Sequence, residues 1–276
     1  MQTPLTVIIL TGENDICLPL IKRVADDPRI NVAGIIYDKK KSQPKRSVLQ
    51  LIRRHLYYSG PLETLLYIIR RLFPGSSRNG KVVQPSSLGK IHAFTEEEKI
   101  PFVAVDDINT ENAAHQIKTF NADLGVVIGT SILKPNILNS TSRGMINVHQ
   151  GKIPEYRGGD TVFWSLFNDE KELGVVIHQV IEAVDAGKIL LEELIPLKYD
   201  YTKYGDKFEV YLDEIKEVLD RLSVRLVYDA MIQIAEGTDM QRTVDIVMGK
   251  RHRKASFRNK QELRERLRQR FGQPRN

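Results

Sequence analysis

Apolar and polar positions along the first forty residues follow a strand–helix–strand rhythm. LTVIILT (5–11) is a short, β-branched apolar run closed by Gly12. It is too short for a core helix, so a buried strand is expected. Ile16, Leu18, Leu20, Ile21 and Val24 then recur at helical spacing, and NVAGIIY (31–37) is a second apolar strand. The rhythm breaks over residues 39–90, which read as an insertion on the sheet. They hold a basic stretch (KKKSQPKR), two predicted helices (SVLQLIRRHLYY and LETLLYIIRRLF) and a Pro/Gly/Ser-rich link (PGSSRNGKVVQPSS). In the second helix Leu65, Leu66, Ile68 and Ile69 stand beside Arg70 and Arg71. A lid, an oligomer contact and a membrane-surface helix all fit that pattern; packing against the body is the preferred expectation.

The rhythm then resumes. PFVAV is a strand, ENAAHQIKTF a helix and LGVVIG a strand, and a short helical turn after Pro135 leads into the strand MINVHQ. DTVFWSLFND reads as a helix N-capped by Asp160 or Thr161. GVVIHQVI and KILLEELIPL look like two strands joined by a tight EAVDAG turn. Phe208, Val210, Leu212, Ile215, Val218, Leu219, Leu222 and Leu226 mark a long helix within 206–236. Short apolar strands alternating with helices indicate an α/β, Rossmann-like, mostly parallel sheet covered on both faces. The expected division is a body over 1–195 and a small helical C-terminal extension over 196–276.

Composition narrows the class. With 276 residues, 41% of them hydrophobic, the chain can bury a sizeable core. The single cysteine, Cys17, excludes an intramolecular disulfide and a multi-cysteine zinc site, and no metal is expected. No apolar run approaches the roughly 20 residues of a spanning helix. The N-terminus lacks the basic region of a signal peptide, so a cytoplasmic enzyme is the default. The net charge of +6 is unevenly placed: residues 250–276 carry eleven Lys and Arg against two Glu, while the rest hold thirty basic and thirty-three acidic residues. Nucleic-acid binding is therefore not implied for the body. The tail is expected to be a solvated helix (NKQELRERLRQRF), with RNA or an anionic membrane as alternative contacts. Its removal is expected to leave the chemistry unchanged.

The candidate chemistry lies in INVHQGKIPEYRGGDTVFW and GVVIHQVIEAVDAGKIL. Asn147 and His149 are two apart on a strand and face the same side. They stand at its C-terminal end, the edge where open parallel sheets bind ligands. Asp185, with Gly187 two residues on, follows a strand that can run beside the first. An amide, an imidazole and a carboxylate can thus converge on one crevice, donate to an oxyanion and carry a proton. Taken singly each has a structural reading: a satisfied histidine, an ordinary Asp-Ala-Gly turn, an asparagine bonded to its own loop. His178 is equally ambiguous. Spacing gives a ligand crevice without its reaction.

The ordered set is more specific than its parts. Asn147-Val148-His149, then Ile153-Pro154, Tyr156-Arg157-Gly158 and Val184-Asp185-Ala186-Gly187-Lys188-Ile189, with thirty-six residues from His149 to Asp185, resembles the folate-dependent formyltransferase family. The likeness is strong over about 100–195, weaker at the first strand–helix unit, and absent from the insertion and tail. It implies the formyltransferase fold, 10-formyltetrahydrofolate as donor, and Asn147, His149 and Asp185 as the catalytic triad. His149 and Asn147 would stabilise the oxyanion, and Asp185 would orient His149, favour its charged form and manage the proton. The resemblance also implies a pterin held between Gly129, Thr130, Ser131, Ile132 and Leu133 on one side and Ile181, Glu182, Val184 and Asp185 on the other.

Three branches of the family differ in the acceptor. Glycinamide ribonucleotide enzymes share the triad and His178 but bind the substrate phosphate in a loop after the first strand, where this chain has Glu13 and Asp15. Methionyl-tRNA enzymes share the Tyr-Arg-Gly loop and append a β-rich domain, whereas the last 80 residues here read as helix and basic tail. Nucleotide-sugar N-formyltransferases, which serve lipopolysaccharide O-antigens, keep the core and end in a variable region that often supports a homodimer. That branch fits best, with Gln150, Tyr156, Arg157, Asp160 and His178 as substrate-binding candidates. For Arg157 both a phosphate contact and bonding to the loop's own carbonyls are open, and Trp164 reads as core. Formylation of an amino acid or its hydroxylamine, as in siderophore assembly, is an enzymatic alternative. A degenerate folate- or sugar-nucleotide-binding protein, or a membrane-associated scaffold, is the non-enzyme alternative.

Overall fold

The computed structural model describes residues 3–42, 47–72, 87–237 and 249–271. The strands are β1 (Leu5–Thr11), β2 (Ile30–Asp38), β3 (Phe102–Val105), β4 (Leu124–Ile128), β5 (Met145–His149), β6 (Arg157–Gly158), β7 (Glu172–Gln179), β8 (Ile189–Pro196) and β9 (Arg251–His252). Seven of them form one sheet in the order β3-β2-β1-β4-β5-β7-β8. The first five are parallel; β7 and β8 run antiparallel to their neighbours. β6 and β9 form a separate two-stranded parallel pair.

Central β1 shows why the apolar runs are unbroken. Val7 and Ile9 face one core while Ile8 and Leu10 face the other, so a strand covered on both sides needs an apolar residue at every position. The first core is roofed by α1 (Cys17–Ala25), α4 (Ser87–Glu97), α7 (Thr161–Phe167), α9 (Phe208–Ala235) and α10 (Phe257–Phe271). The second lies under α5 (Glu111–Thr119) and α6 (Pro135–Leu138). The short helices α2 (Lys39–Ser42) and α8 (Tyr201–Tyr204), and the long α3 (Val48–Leu72), complete the described elements. At the end of β1 the Asn14 side chain closes the turn. Its amide donates to Thr11 Oγ1 (2.7 Å), Gly12 O (2.9 Å) and Ile128 O (3.2 Å), and its oxygen accepts from the Ile16 and Cys17 amides that open α1.

Several expectations need correction. α4 starts at the last residue of the expected link and runs through positions for which no element was expected; Ile91 is fully buried against the first core, so this helix serves the β2–β3 crossover. The two expected helices of the insertion meet at Gly60 (φ 84°) within α3. Of the four apolar residues expected to pack on the body, Leu66 and Ile68 are half-buried while Leu65 and Ile69 stay exposed, and α3 meets α10 where Gly60 lies against Phe257, so its apolar face is only partly covered. Phe73 and the link at 74–86, with residues 43–46 of the basic stretch, lie outside the described residues. EAVDAG is no tight turn: β7 and β8 are joined by a loop over 180–188, closed where Gln179 N donates to Lys188 O (2.8 Å). Neither side chain caps α7, because the Asp160 carboxylate accepts from Ala255 N and Thr161 Oγ1 donates to Gln150 O.

The basic tail is not a free solvated helix either. Leu263 and Leu267 of α10 are buried in the first core, with Phe208 of α9 and Phe163 of α7. Arg264, Arg268 and Arg270 pair with Glu209, Asp206 and Asp169 on the body. Beyond residue 195, α9 shares the same core, burying Leu219, Leu222, Leu226, Val227 and Met231. Leu263→Ala should therefore cost about 2–5 kcal/mol of unfolding free energy, as truncation of a buried leucine does. Urea denaturation reads this directly, and a loss below about 0.5 kcal/mol, typical of a surface position, would return α10 to solvent.

Candidate functional site

β5 reaches the C-terminal edge of the parallel strands and pairs with antiparallel β7 in a register that sets Asn147 opposite His178 and His149 opposite Val176. The period of the strand puts Asn147 and His149 on one face. His178 Nδ1–H donates to Gln179 O (2.8 Å), which leaves Nε2 to accept from Asn147 Nδ2 (3.1 Å). Asp185 arrives from the 180–188 loop in a left-handed conformation, φ 47°, which Asp tolerates better than most residues. Its Oδ2 accepts from Gly158 N (2.9 Å) and lies 3.6 Å from His149 Nδ1, and its Oδ1 lies 3.6 Å from His178 Nε2. His149 Nε2–H donates to Tyr156 O (2.6 Å).

The loop supplying those backbone groups is clamped from the C-terminal segment. β6 pairs with β9, and Gly159 N donates to His252 O (3.1 Å). Gly158 has φ 92°, and a Cβ there would meet His252 O at 2.3 Å, so only glycine allows this approach. The His252 ring stacks on Tyr156 at 5.2 Å, and Trp164 Nε1–H donates to Arg253 O (2.7 Å).

Two cavities meet at His149. The larger, about 670 Å³, runs between the 129–133 and 180–185 loops and is closed on one side by residues 251–254. The smaller, about 390 Å³, lies between the β1–α1 turn and α9. Gly129, Val148, His149 and Gly158 line both. The smaller cavity is acidic. Its walls carry Glu13, Asp15 and Asp220, and its single ammonium, Lys216, is bracketed by Asp15 (2.8 Å) and Asp220 (2.5 Å).

Residues 86–209 match the formyl transferase family. That segment is similar to the family whose motifs the sequence resembles. A methionyl-tRNA formyltransferase of Pediococcus pentosaceus is 27% identical over 231 residues, which is 83% of this chain and 58% of the relative. The chain thus spans about half the length of the curated relatives it matches. Glycinamide ribonucleotide transformylase 1 from Symbiobacterium toebii superposes with a TM-score of 0.57 at 17% identity, covering 90% of this chain and 93% of the other. A sugar N-formyltransferase from Shewanella sp. gives 0.56 at 16%, covering 90% and 76%. At such identities the likeness is one of fold.

The expected site residues separate into groups. Asn147, His149, Asp185 and His178 converge on the larger cleft, with Gly129, Thr130, Ser131, Ile132, Leu133, Ile181 and Val184 as its walls. Glu182 is exposed and lines neither cavity. Gln150 lines the smaller cavity, where its amide donates to Asp220 Oδ1 (2.7 Å). Asp160 lies in a third cavity that continues from the smaller one through Gln150, Thr161 and Lys216. Tyr156 and Arg157 face none of these spaces. Tyr156 is buried, with its hydroxyl on Glu170 Oε1 (2.8 Å), and the Arg157 guanidinium donates to Val184 O and Gly249 O. These carbonyls are not those of Arg157's own loop, as one reading had it, but of the 180–188 loop and the C-terminal segment, so Arg157 braces the loop that carries Asp185.

Sequence reasoning missed three contributors. Asp38, fully buried at the end of β2, accepts from Ser131 N (2.9 Å) and holds the 129–133 loop. Asn14 ties the β1–α1 turn to the end of β4. Residues 251–254 form a wall of the cleft, so the expectation that removing the tail leaves the chemistry untouched does not fit the structure. A polar residue ending an apolar strand was the available signal for Asp38; nothing local signals the other wall.

Electrostatics sets the protonation states. Burial pulls the His149 imidazole below its usual pKa, against the opposing pull of Asp185 and of the Tyr156 carbonyl. Asp185 does favour the charged imidazole, as expected, but burial outweighs it, so the neutral form, with its one N–H on Tyr156 O and Nδ1 open, is favoured at neutral pH. Burial pushes the Asp185 carboxyl up, but His178, His149 and the Gly158 amide together outweigh it and hold it at about 2. In an NMR titration His149 should thus titrate below the ordinary imidazole value of about 6.5. Asp185→Asn removes a charge that raises this pKa and should move the midpoint further down. An unchanged or higher midpoint in the variant would show that the carboxylate does not act on the ring.

Proposed function

We propose that the protein transfers the formyl group of 10-formyltetrahydrofolate to the primary amine of a nucleotide-linked amino sugar. The observation that carries this reading is the meeting of two cavities at His149, one suited to a donor and the other to an acceptor. The larger cleft suits a flat pterin. Its volume is that of a typical small-molecule site, the 129–133 loop offers backbone groups beside the buried Val127 and Leu133, and Gly129 turns the chain at φ 66° without a side chain in the way.

The donor supplies a formyl carbon carried on nitrogen. Asn147 Nδ2 spends one N–H on His178 and keeps a second to donate to the formyl oxygen as it gains charge. Neutral His149 takes the amine's proton at Nδ1, and ionised Asp185 at 3.6 Å stabilises the imidazolium. His149 then delivers that proton to the departing nitrogen. A bond from carbon to the acceptor nitrogen forms as the bond to the donor nitrogen breaks. In this assignment His149 is the base, and oxyanion stabilisation rests on Asn147.

The acid-lined cavity supports a polyhydroxylated amine as acceptor. Glu13, Asp15 and Asp220 can accept from sugar hydroxyls, whereas the phosphate of glycinamide ribonucleotide would face the same carboxylates. The third cavity, where Lys216 and Lys260 stand among Asp160, Glu209 and Asp213, extends this space past Gln150 and Thr161. Asn147→Ala should lower kcat by roughly 10²–10³-fold with a smaller effect on KM, the size seen when one oxyanion donor is removed. A spectroscopic formyl-transfer assay should give turnover with an amino-sugar nucleotide in preference to glycinamide ribonucleotide, methionyl-tRNA and N-hydroxyornithine. Preferred turnover of glycinamide ribonucleotide would overturn the acceptor assignment.

A further inference from the structure

Helix α3 carries a surface that the proposed chemistry does not use. Of the fourteen exposed large hydrophobic side chains among the described residues, eight lie on this one helix. In its second half Leu62, Leu65, Ile69 and Leu72 recur at i, i+3, i+7 and i+10, so they form a stripe along one face. All four are 43–68% exposed, whereas Thr64, on another face, is buried. The stripe is held outward by a built inner side. Thr64 Oγ1 donates to Gly60 O (2.6 Å) and accepts from His55 Nδ1 (3.1 Å), and the His55 ring stacks on Tyr67 at 4.7 Å. Gly60 lies against the Phe257 ring, and Lys260 Nζ donates to Tyr58 O (3.3 Å). The two halves of α3 are thus fixed to each other and to α10, and the outer row stays bare, as interaction surfaces do.

The charge around this row has one sign. Residues 39–86 carry eleven Lys and Arg against Glu63 alone, and residues 250–276 carry eleven against two. Outside these two segments the chain holds nineteen basic and thirty-two acidic residues. Packing of α3 on α10 brings the two basic segments together. Arg53, Arg54, Arg70 and Arg71 are exposed, and among the described residues none of them forms an ion pair. Three arginines of neighbouring α10, by contrast, are paired with acids of the body.

We propose that α3 docks the protein on an anionic lipid bilayer, with Leu62, Leu65, Ile69 and Leu72 entering the interfacial region and the arginines engaging lipid phosphates. A bilayer satisfies both parts of the surface: aliphatic carbon is buried among acyl chains while guanidinium groups stay at the headgroups. A second copy of the chain does not. A two-fold interface sets each patch against itself, so the same arginines would meet, with Glu63 as the one acid of α3 to oppose them. RNA would engage the arginines and leave the aliphatic row in water, since it is gripped by cations and aromatic stacking. The contact is peripheral, because no helix among the described residues is long and apolar enough to cross a membrane. The acidic remainder of the chain is repelled by the same lipid, which orients α3 toward it.

The test sediments the full chain with vesicles of phosphatidylcholine alone and of phosphatidylcholine and phosphatidylglycerol in equal parts. Binding should be roughly tenfold or more stronger to the anionic vesicles and should weaken as salt is raised. Arg70→Gln with Arg71→Gln should weaken it roughly 10–30-fold, at about fivefold per cation. Leu65→Asp with Ile69→Asp should abolish it, and Leu65→Phe should retain it. All these positions are exposed, so the thermal unfolding midpoint should stay close to that of the wild type. The arginine pair gives the same reading if the aspartates disturb the fold. No binding to either vesicle, or equal binding by the wild type and the aspartate variant, would overturn the inference. A dimer in sedimentation velocity that the aspartate variant loses, without vesicle binding, would overturn it in favour of a second copy. Binding of RNA without binding of vesicles would overturn it in favour of a nucleic acid.

Discussion

One partly buried carboxylate organises the site. Asp185 accepts from the Gly158 amide, stands 3.6 Å from His149 Nδ1 and from His178 Nε2, and has its carboxyl held at about 2 despite the cost of burying a charge. Each partner comes from a different part of the fold. His149 and His178 require β5 and β7 in register, Gly158 requires the loop clamped by β9, and Asp185 requires its own left-handed turn braced by Arg157 on Val184 O. Sheet register, loop conformation and C-terminal docking are therefore coupled through one group.

The same arrangement divides the labour of the triad. Burial keeps His149 neutral despite Asp185, and the bond to Tyr156 O selects the tautomer with Nδ1 open. Asn147 is oriented by His178 rather than by its own loop. In the proposed transfer the carboxylate acts on an imidazolium that exists only during that step, where a fixed, pre-aimed charge is most effective. The fold offers two approaches to this point, one through loops rich in backbone groups and the other past the acidic β1–α1 turn.

Much of the sheet was legible because a strand buried on both faces must be apolar throughout, a local property of LTVIILT, LGVVIG and the runs between them. Helix α4 was not, because SLGKIHAFTEE has few apolar residues and owes its place to Ile91 meeting α1 and the first core. The basic tail misled for a related reason. Its charge pattern is that of a solvated helix, and only the acids of α7–α9 and the hollow that receives Leu263 and Leu267 make it part of the body.

The sequence by itself determined the chemical groups, since Asn147 and His149 share a face through the period of a strand and Asp185 follows at a spacing that the family resemblance makes specific. Tertiary structure decided what those groups do. Whether an imidazole is charged depends on how much water its neighbours exclude, and that exclusion is built by residues far away in sequence. Tyr156 and Arg157, candidate ligands on spacing, became scaffold because β9 covers them. Residues 251–254, invisible as site residues in a charge run, became a cleft wall because two residues of backbone pair with β6. Local pattern specifies which element forms; the environment of a polar group is a property of the assembled surface around it.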